Sequence, residues 1–265
     1  MYRPFFTLTV LGASRAMPNV GGHCSGYLLR TPESSVLMDC GPGVVGQLLK
    51  VQDPTELSAV VISHWHADHY FDLAPLYYTL KYGLSPLPDG RRIELWVPPG
   101  GRTHMAQFSR LVGGSDSMFD ALFDIREYGT AGSHRLGSFD FQFVRVQHYI
   151  PSHAMRVSTE GGPTLAYSAD VGPCAPLLDV ARGANLFLCE AAFSDSSQDE
   201  AEPARRGHLA PAEAADFAQR AGARRLLLTH CLRGVEWDEP FLTAARSVFS
   251  GSVDLADEGR TYVVE

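Results

Sequence analysis

Residues 63–69, with the sequence SHWHADH, constrain this chain more than any other stretch. They end the short apolar run 59–63, which is typical of a buried strand, and they lead into a helical pattern. A polar loop with incidental histidines is a poor explanation, because the chain has only 10 histidines and three of them fall here beside an aspartate. Imidazole and carboxylate ligands suit Zn, Mn or Fe(II). The sequence therefore predicts a metal site at the end of a strand.

Strand-like and helix-like patterns alternate along the chain. Residues 73–80 carry apolar side chains at helical spacing, and residues 211–221 begin with proline and end before Gly222. Residues 139–147 alternate between apolar and polar, as in a half-buried strand. This alternation in two halves favours a layered α/β architecture. Further strands are expected at residues 5–11, 26–30, 35–39, 92–97, 164–168, 185–189 and 225–229, and helices at 44–50 and 174–182.

Composition limits the class of protein. A chain of 265 residues with 45% hydrophobic side chains suits one large α/β domain. Its apolar runs are far shorter than a membrane span, and its first residues lack a secretory signal, so we expect a cytoplasmic protein without a membrane partner. Five scattered cysteines without a C-x-x-C pair argue against disulfides and a cysteine zinc site. The net charge of −8 disfavours long nucleic-acid substrates, although a local basic patch would be compatible with it.

The pattern H-x-H-x-D-H after an apolar strand resembles the signature of the metallo-β-lactamase superfamily. Other motifs of that family follow in order over nearly the whole chain, so the resemblance implies one domain, residues 1–265, folded as a four-layer αβ/βα sandwich. Residues 37–41 resemble the early Asp-Gly motif, whose aspartate, here Asp39, supports the ligand loop without binding metal. Residues 148–156, 167–173 and 228–230 resemble the three later motifs.

The resemblance implies a dinuclear metal centre with zinc, or alternatively manganese, as the two divalent ions. A hydroxide that bridges two such ions is a strong nucleophile at neutral pH. In this assignment Asp170 joins the two ions. The first ion takes His64, His66 and His148, and the second takes Asp68, His69 and His230.

Two further motifs indicate the branch within the superfamily. Residues 188–191 resemble the H-E-A segment of the ribonuclease Z-like group, and residues 207–209 resemble its G-H motif. The resemblance implies that His208 meets the substrate phosphate and that Glu190 orients it. Alternatively, Glu190 is a buried ion-pair partner and His208 merely precedes a helix. Asp68, His208 and Glu190 are the expected catalytic residues.

The expected substrate is a small phosphodiester such as a cyclic nucleotide. Ribonuclease Z carries a long flexible arm that captures tRNA, whereas residues 171–207 here read as a helix, a strand and an acidic loop at 194–206. Residues 11–14 and 24–29 look more like the small bacterial phosphodiesterases of the superfamily. The alternatives are an RNA endonuclease, or a lactone or thioester hydrolase that would not need Glu190 and His208. A homodimer is compatible with all of these.

Other side chains near these motifs have simpler explanations. His153 could be mistaken for the third ligand, but the residues around it favour His148. Trp65 and Tyr70 could stack on a base, and the loop of His23 and Cys24 could rim the cleft. Packing or a plain loop is favoured for His153, Trp65, Tyr70, His23 and Cys24, and a surface position for His104 and His134.

Overall fold

Two mixed sheets form the framework of the chain in the computed structural model, which describes residues 5–199 and 205–265. In the described ranges, the first sheet begins with six strands: β1 (Phe6–Gly12), β2 (Gly26–Arg30), β3 (Ser35–Met38), β4 (Ala59–Val61), β5 (Ile93–Val97) and β6 (Phe123–Glu127). The second sheet contains β7 (His134–Leu136), β8 (Phe139–Val146), β9 (Ser152–Ser158), β10 (Thr164–Tyr167), β11 (Leu186–Glu190), β12 (Arg225–Thr229) and β13 (Ser252–Leu255).

The last strand, β14 (Thr261–Val264), returns to the first sheet and pairs antiparallel with β1. The strand orders are β14-β1-β2-β3-β4-β5-β6 and β13-β12-β11-β10-β9-β8-β7. In the first sheet β3, β4, β5 and β6 run parallel, and in the second β10, β11, β12 and β13 do so. Each sheet therefore gathers the carboxyl ends of several strands at one edge, where loops carry functional side chains.

Helices cover the outer face of each sheet. A buried apolar cluster joins α1 (Val44–Leu48), α2 (Ala67–Tyr70), α3 (Leu73–Tyr82) and α4 (Gly101–Gly113) to the first sheet. A second cluster joins α5 (Ala175–Ala181), α6 (Pro211–Ala221) and α7 (Asp238–Arg246) to the second sheet. Short 3-10 turns lie at Pro54–Glu56, Phe119–Ala121 and Ser196–Gln198.

The inner faces of the two sheets pack on each other through a third apolar cluster. The alternating Phe139, Phe141 and Phe143 of β8 all point into it, and Phe6 of β1 meets Phe139 edge to face at 5.3 Å between ring centroids. Burial of each such ring is worth about 2–3 kcal/mol. The order of layers is helix, sheet, sheet, helix, and the predicted four-layer αβ/βα sandwich is confirmed.

Local sequence rules explain the best-predicted helix. α6 begins with Pro211, and the side chain of Glu213 accepts a hydrogen bond from the Ala210 amide at 2.9 Å. It ends at Gly222, which adopts the left-handed conformation with φ 66°. These signals gave the bounds 211–221, and the structure has the same ones.

Other elements escaped the sequence patterns. Residues 98–100 lead from β5 directly into α4, a mostly polar helix whose apolar stripe is narrow and includes Met105 and Phe108. In the acidic loop, Asp195 caps the turn Ser196–Gln198, while residues 200–204 lie outside the described residues, as do residues 1–4 at the start of the chain. Within the described part of the chain, every helix is too short or too polar to cross a bilayer.

Candidate metal centre and the cavity above it

The predicted ligands lie on loops that follow the carboxyl ends of strands in both sheets. The loop after β4 carries His64, His66, Asp68 and His69, the last two within α2. In the second sheet, His148 follows β8, Asp170 follows β10 and His230 follows β12. The packing of the sheets brings all seven side chains into one cluster.

The first donor group consists of His64, His66, His148 and Asp170. Nδ1 of His66 lies 3.2 Å from Nε2 of His64 and 3.0 Å from Nε2 of His148. Oδ2 of Asp170 lies 3.7 Å from His64 Nε2 and 3.8 Å from His148 Nε2. Three ring nitrogens and one carboxylate oxygen thus converge on one point.

The second donor group consists of Asp68, His69, Asp170 and His230. Nε2 of His69 lies 3.4 Å from Asp68 Oδ2 and 3.2 Å from Asp170 Oδ1. Nε2 of His230 lies 3.1 Å from Asp68 Oδ2 and 3.5 Å from Asp170 Oδ2. Asp170 belongs to both groups and uses both of its oxygens.

These two groups fit divalent metal ions. Ligands at 2.0–2.1 Å around a tetrahedral ion are about 3.3 Å apart, close to most of the spacings found here. His69 Nε2 and Asp170 Oδ1 are buried without a hydrogen-bond partner, which is costly for polar atoms unless something else binds them. Nitrogen and oxygen donors of this kind suit zinc and its first-row neighbours.

The electrostatics of the cluster agree with a cation site. Burial, and then the neighbouring His69, hold the pKa of His64 well below its ordinary value, so its imidazole is neutral and free to ligate. Burial alone would raise the pKa of Asp170, but His230, His69 and His64 together hold it well below the usual range. The carboxylate is therefore ionised, as a metal ligand must be.

Asp39 supports the ligand loop from behind. Its Oδ1 accepts a hydrogen bond from the Ser63 amide at 2.7 Å. Its Oδ2 accepts from the hydroxyls of Ser63 and Tyr167 and lies near Nδ1 of His69, each at 2.8 Å. A donor bond from His69 Nδ1 would leave Nε2 as the nitrogen available to a metal ion. The position matches the predicted role, since Asp39 holds the loop and belongs to neither donor group.

Backbone strain concentrates at the cluster. The non-glycine residues with positive φ in the described ranges are Asp39 (56°), Ala169 (50°) and His230 (49°), and all three lie in the ligand loops or beside them. Such conformations cost about 1–3 kcal/mol each and are retained where function fixes the geometry. Gly41 allows a close approach, because a Cβ there would lie 1.9 Å from the Asp68 carbonyl oxygen.

Glu190, which is buried, and His208, which is partly exposed, form a pair beside the donor groups. Nδ1 of His208 lies 2.8 Å from Oε1 of Glu190, and the His208 ring stacks over His230 at 5.7 Å. The Glu190 carboxylate also accepts hydrogen bonds from the backbone amides of Val171, Ala192 and Leu209. Burial lowers the pKa of His208, but the Glu190 carboxylate, with Asp170 and Asp199, more than offsets this and raises it to about 9. This contact fits both interpretations, a pair that acts on the substrate and a buried ion-pair partner for Glu190.

A cavity of about 500 Å³ opens above the cluster. His66, Asp68, Asp170, His208 and His230 line it. The lining also includes Arg15, Met17 and Phe193, which sequence reasoning did not single out. The available signal was that Arg15 directly follows residues 11–14, already noted for their resemblance to small phosphodiesterases.

The remaining candidates lie outside the donor groups. His153 is buried on β9 and packs edge-on against Tyr128, and His23 is bonded to Glu258 at 2.6 Å in its loop. Trp65 packs against Tyr70, as the packing interpretation expected. The surface position expected for His104 is wrong: its ring stacks on Trp65 at 4.1 Å and its Nε2 is buried.

Comparisons with known proteins identify the family. The model of the β-lactamase superfamily domain matches residues 34–231. The uncharacterized protein Rv1339 of Mycobacterium tuberculosis is 34% identical over 97% of this chain and 92% of its own length. The probable metallo-hydrolase YhfI of Bacillus subtilis is 32% identical over 95% of this chain and 97% of its own length. Ribonuclease Z of Myxococcus xanthus is 27% identical over 96% of each chain.

The crystal structure of YhfI superposes with a TM-score of 0.85 over 98% of this chain and 100% of the other, at 26% identity. These relatives confirm the expected class, a metal-dependent hydrolase, and a ribonuclease Z is among them. Family match, relatives and fold agree: the chain belongs to the β-lactamase superfamily, with the metallo-β-lactamase fold.

Proposed function

We propose that this chain hydrolyses small phosphodiesters, such as cyclic nucleotides, with two divalent metal ions. The observation that carries the proposal is the Glu190–His208 pair beside two donor groups, with His208 and both groups facing one cavity of about 500 Å³. A cavity of that size falls within the range of small-molecule sites. Hydrolysis of a lactone or thioester would leave this pair without a role.

The metal-binding side chains in this proposal are His64, His66 and His148 for one ion and Asp68, His69 and His230 for the other, with Asp170 shared. Zinc is the expected metal and manganese the alternative. Ions bound there would supply Lewis acidity and lower the pKa of bound water. A cytoplasmic location and a homodimer stay predictions.

His208 is positioned to act on the leaving group. Because its Nδ1 faces Glu190, its Nε2 is the nitrogen left for a substrate in the cavity. Water adds to phosphorus, the P–O bond to the leaving group breaks, and a proton from Nε2 of His208 passes to the leaving oxygen. One proton of the water stays on the monoester product, and the other restores the proton of His208. Glu190 stabilises the charged imidazole and fixes its orientation, so it is a positioning residue.

The test compares wild type with His208→Ala. Purified, metal-replete protein is assayed on 2′,3′- and 3′,5′-cyclic nucleotides, bis(4-nitrophenyl) phosphate, a lactone and a tRNA precursor. We expect the variant to keep its metal and to lose about 10²- to 10⁴-fold in kcat on cyclic nucleotides. The loss should be smaller on bis(4-nitrophenyl) phosphate, because nitrophenolate leaves without protonation.

His134→Ala is the matched control, since His134 lies on β7, outside the donor groups and the cavity. The phosphodiesterase proposal fails if His208→Ala keeps full kcat on every diester, or loses activity only by losing metal. Ribonuclease Z activity is the second candidate, favoured by the Myxococcus relative. A higher kcat/KM on the tRNA precursor than on any cyclic nucleotide would establish it instead.

A further inference from the structure

Among the described residues, Arg15 has no carboxylate partner, and it lines the cavity above the candidate metal centre. It lies in the loop after β1 and lines the same cavity as His208 and His230. Its Nη1 donates a hydrogen bond to the Ala192 carbonyl at 2.7 Å, and its Nε is buried without a partner. Within the described residues no carboxylate lies in ion-pair distance of it.

The arginines that flank this region are different. Arg206 pairs with Glu213 at 2.6 Å, and Arg233 contacts both Asp238 and Asp257. Burial lowers the pKa of Arg15, but an arginine stays protonated in proteins. A half-buried positive charge without a counter-ion is unfavourable. It is retained where an anionic ligand supplies the missing partner.

The loop that carries Arg15 is fixed to the candidate metal centre. Asn19 donates from its backbone and side chain to Ser14 Oγ, each at 3.2 Å, and from its side chain to the Cys231 carbonyl at 3.0 Å. The Arg233 amide donates back to Asn19 at 3.0 Å. Because Cys231 directly follows the ligand His230, these bonds set the position of Arg15 relative to the cluster. A preorganised cation binds an anion with little further loss of entropy.

Apolar side chains complete the rim. Met17 is 60% exposed, and Phe193 packs edge-on against His208 at 5.4 Å between ring centroids. Both line the cavity with Arg15. The cavity thus offers metal donors, one fixed cation and apolar side chains. This combination matches a ligand with a phosphate and an aromatic or sugar-bearing group.

We propose that Arg15 binds the phosphate of the substrate and so selects phosphate esters over uncharged esters, with Met17 and Phe193 contacting the nucleoside. This inference rests on the proposed phosphodiesterase function and assigns a substrate-binding role within it. A planar guanidinium can donate two parallel hydrogen bonds to phosphate oxygens, which an ammonium group cannot do.

The test measures binding of adenosine 5′-monophosphate and of adenosine to metal-loaded protein by calorimetry. Arg15→Met should weaken binding of the monophosphate about 10- to 100-fold, the usual worth of a hydrogen bond to a charged group, and leave adenosine binding unchanged. If Arg15→Met does not fold, Arg15→Gln takes its place, because glutamine lacks the charge but can still donate a hydrogen bond to Ala192. It should weaken binding of the monophosphate by a similar factor.

Arg220→Met is the matched control, because it removes the same charge from an exposed pair with Asp216 on α6. It should bind both compounds as wild type does. Equal monophosphate affinity in wild type and the Arg15 variants would overturn the inference. An equal loss of affinity for the monophosphate and for adenosine would overturn it as well.

The hydrolysis assays test the proposed function, and they do so independently of the binding measurements. Wild-type cleavage of diesters with no effect of Arg15 on monophosphate binding would sink the inference and leave the function standing. If the monophosphate binds in an Arg15-dependent way but no diester is hydrolysed, the proposed function fails and the binding role of Arg15 stands. In kinetics, Arg15→Met should raise KM for bis(4-nitrophenyl) phosphate much more than it lowers kcat.

Discussion

Replacement of Asp39 by asparagine would test how the ligand loop is held. The side chain is fully buried, and every group it meets is a donor: the Ser63 amide, the hydroxyls of Ser63 and Tyr167, and Nδ1 of His69. Asparagine keeps the shape but exchanges one oxygen for an NH₂ group. The substitution therefore changes hydrogen bonding with little change in packing.

Neither orientation of the amide suits the site. If the NH₂ group replaces Oδ1, it faces the backbone amide of Ser63, which is a donor fixed in place by the main chain. With NH₂ in place of Oδ2, the two hydroxyls can rotate, but His69 can accept only if its proton moves to Nε2. That tautomer places an N–H on the nitrogen that faces Asp68 and Asp170.

Both outcomes have an estimated magnitude. A buried donor left without an acceptor costs about 1–3 kcal/mol of folding free energy. Loss of a carboxylate behind a ligating histidine typically lowers metal affinity about 10- to 100-fold, which is about 1.4–2.8 kcal/mol. We therefore expect Asp39→Asn to weaken metal binding although Asp39 belongs to neither donor group.

The assay is a competition titration of zinc against a chromogenic chelator, together with urea unfolding of the metal-depleted protein. Tyr167→Phe is the control, since it removes one hydroxyl bond to Asp39 and leaves the carboxylate and the His69 tautomer intact. Its zinc affinity should stay near that of wild type. Unchanged zinc affinity in Asp39→Asn would refute the argument that this carboxylate sets the tautomer of His69.

Metal depletion, a glycine substitution and acid give three more tests. Elemental analysis should find two ions per chain, and chelation should lower Tm because metal binds only the folded state. Gly41→Ala should reduce metal content, because its Cβ would displace the Asp68 carbonyl. Burial lowers the pKa of His153 to about 4 in the folded protein. Between about pH 6.5 and pH 4 the unfolded chain therefore binds a proton at His153 that the metal-depleted folded protein does not bind. Its stability should fall by up to about 3 kcal/mol between pH 6.5 and 4 in urea unfolding, and by less in His153→Phe.

The fold was predictable where local rules and long-range packing agree. The phenylalanines of β8 alternate as a strand must, and α6 carries both of its end signals. α4 was missed because its outward face is polar and its apolar stripe is narrow. β13 and β14, of four residues each, were also missed, although β3 and β10 of the same length were predicted.

The site divides in the same way. The loop after β4 was predicted from its residues because its four donors fall within six positions of the sequence. The other three proposed ligands were assigned only through resemblance to a family. Arg15 and Phe193 were missed because only the folded chain brings them to the same cavity as the metal donors. The wrong surface position predicted for His104 has the same origin, since the sequence does not show that its ring stacks on Trp65.

The separation of the proposed ligands along the chain has a consequence for folding kinetics. His66 meets His148 across 82 residues, and Asp68 meets His230 across 162. Contacts of such long range are costly to close early, so we expect the cluster to assemble after the rate-limiting step. Interactions absent from the transition state slow unfolding and leave the folding rate nearly unchanged. The supply of metal would then decide how long a folded molecule survives, and hardly at all how quickly it forms.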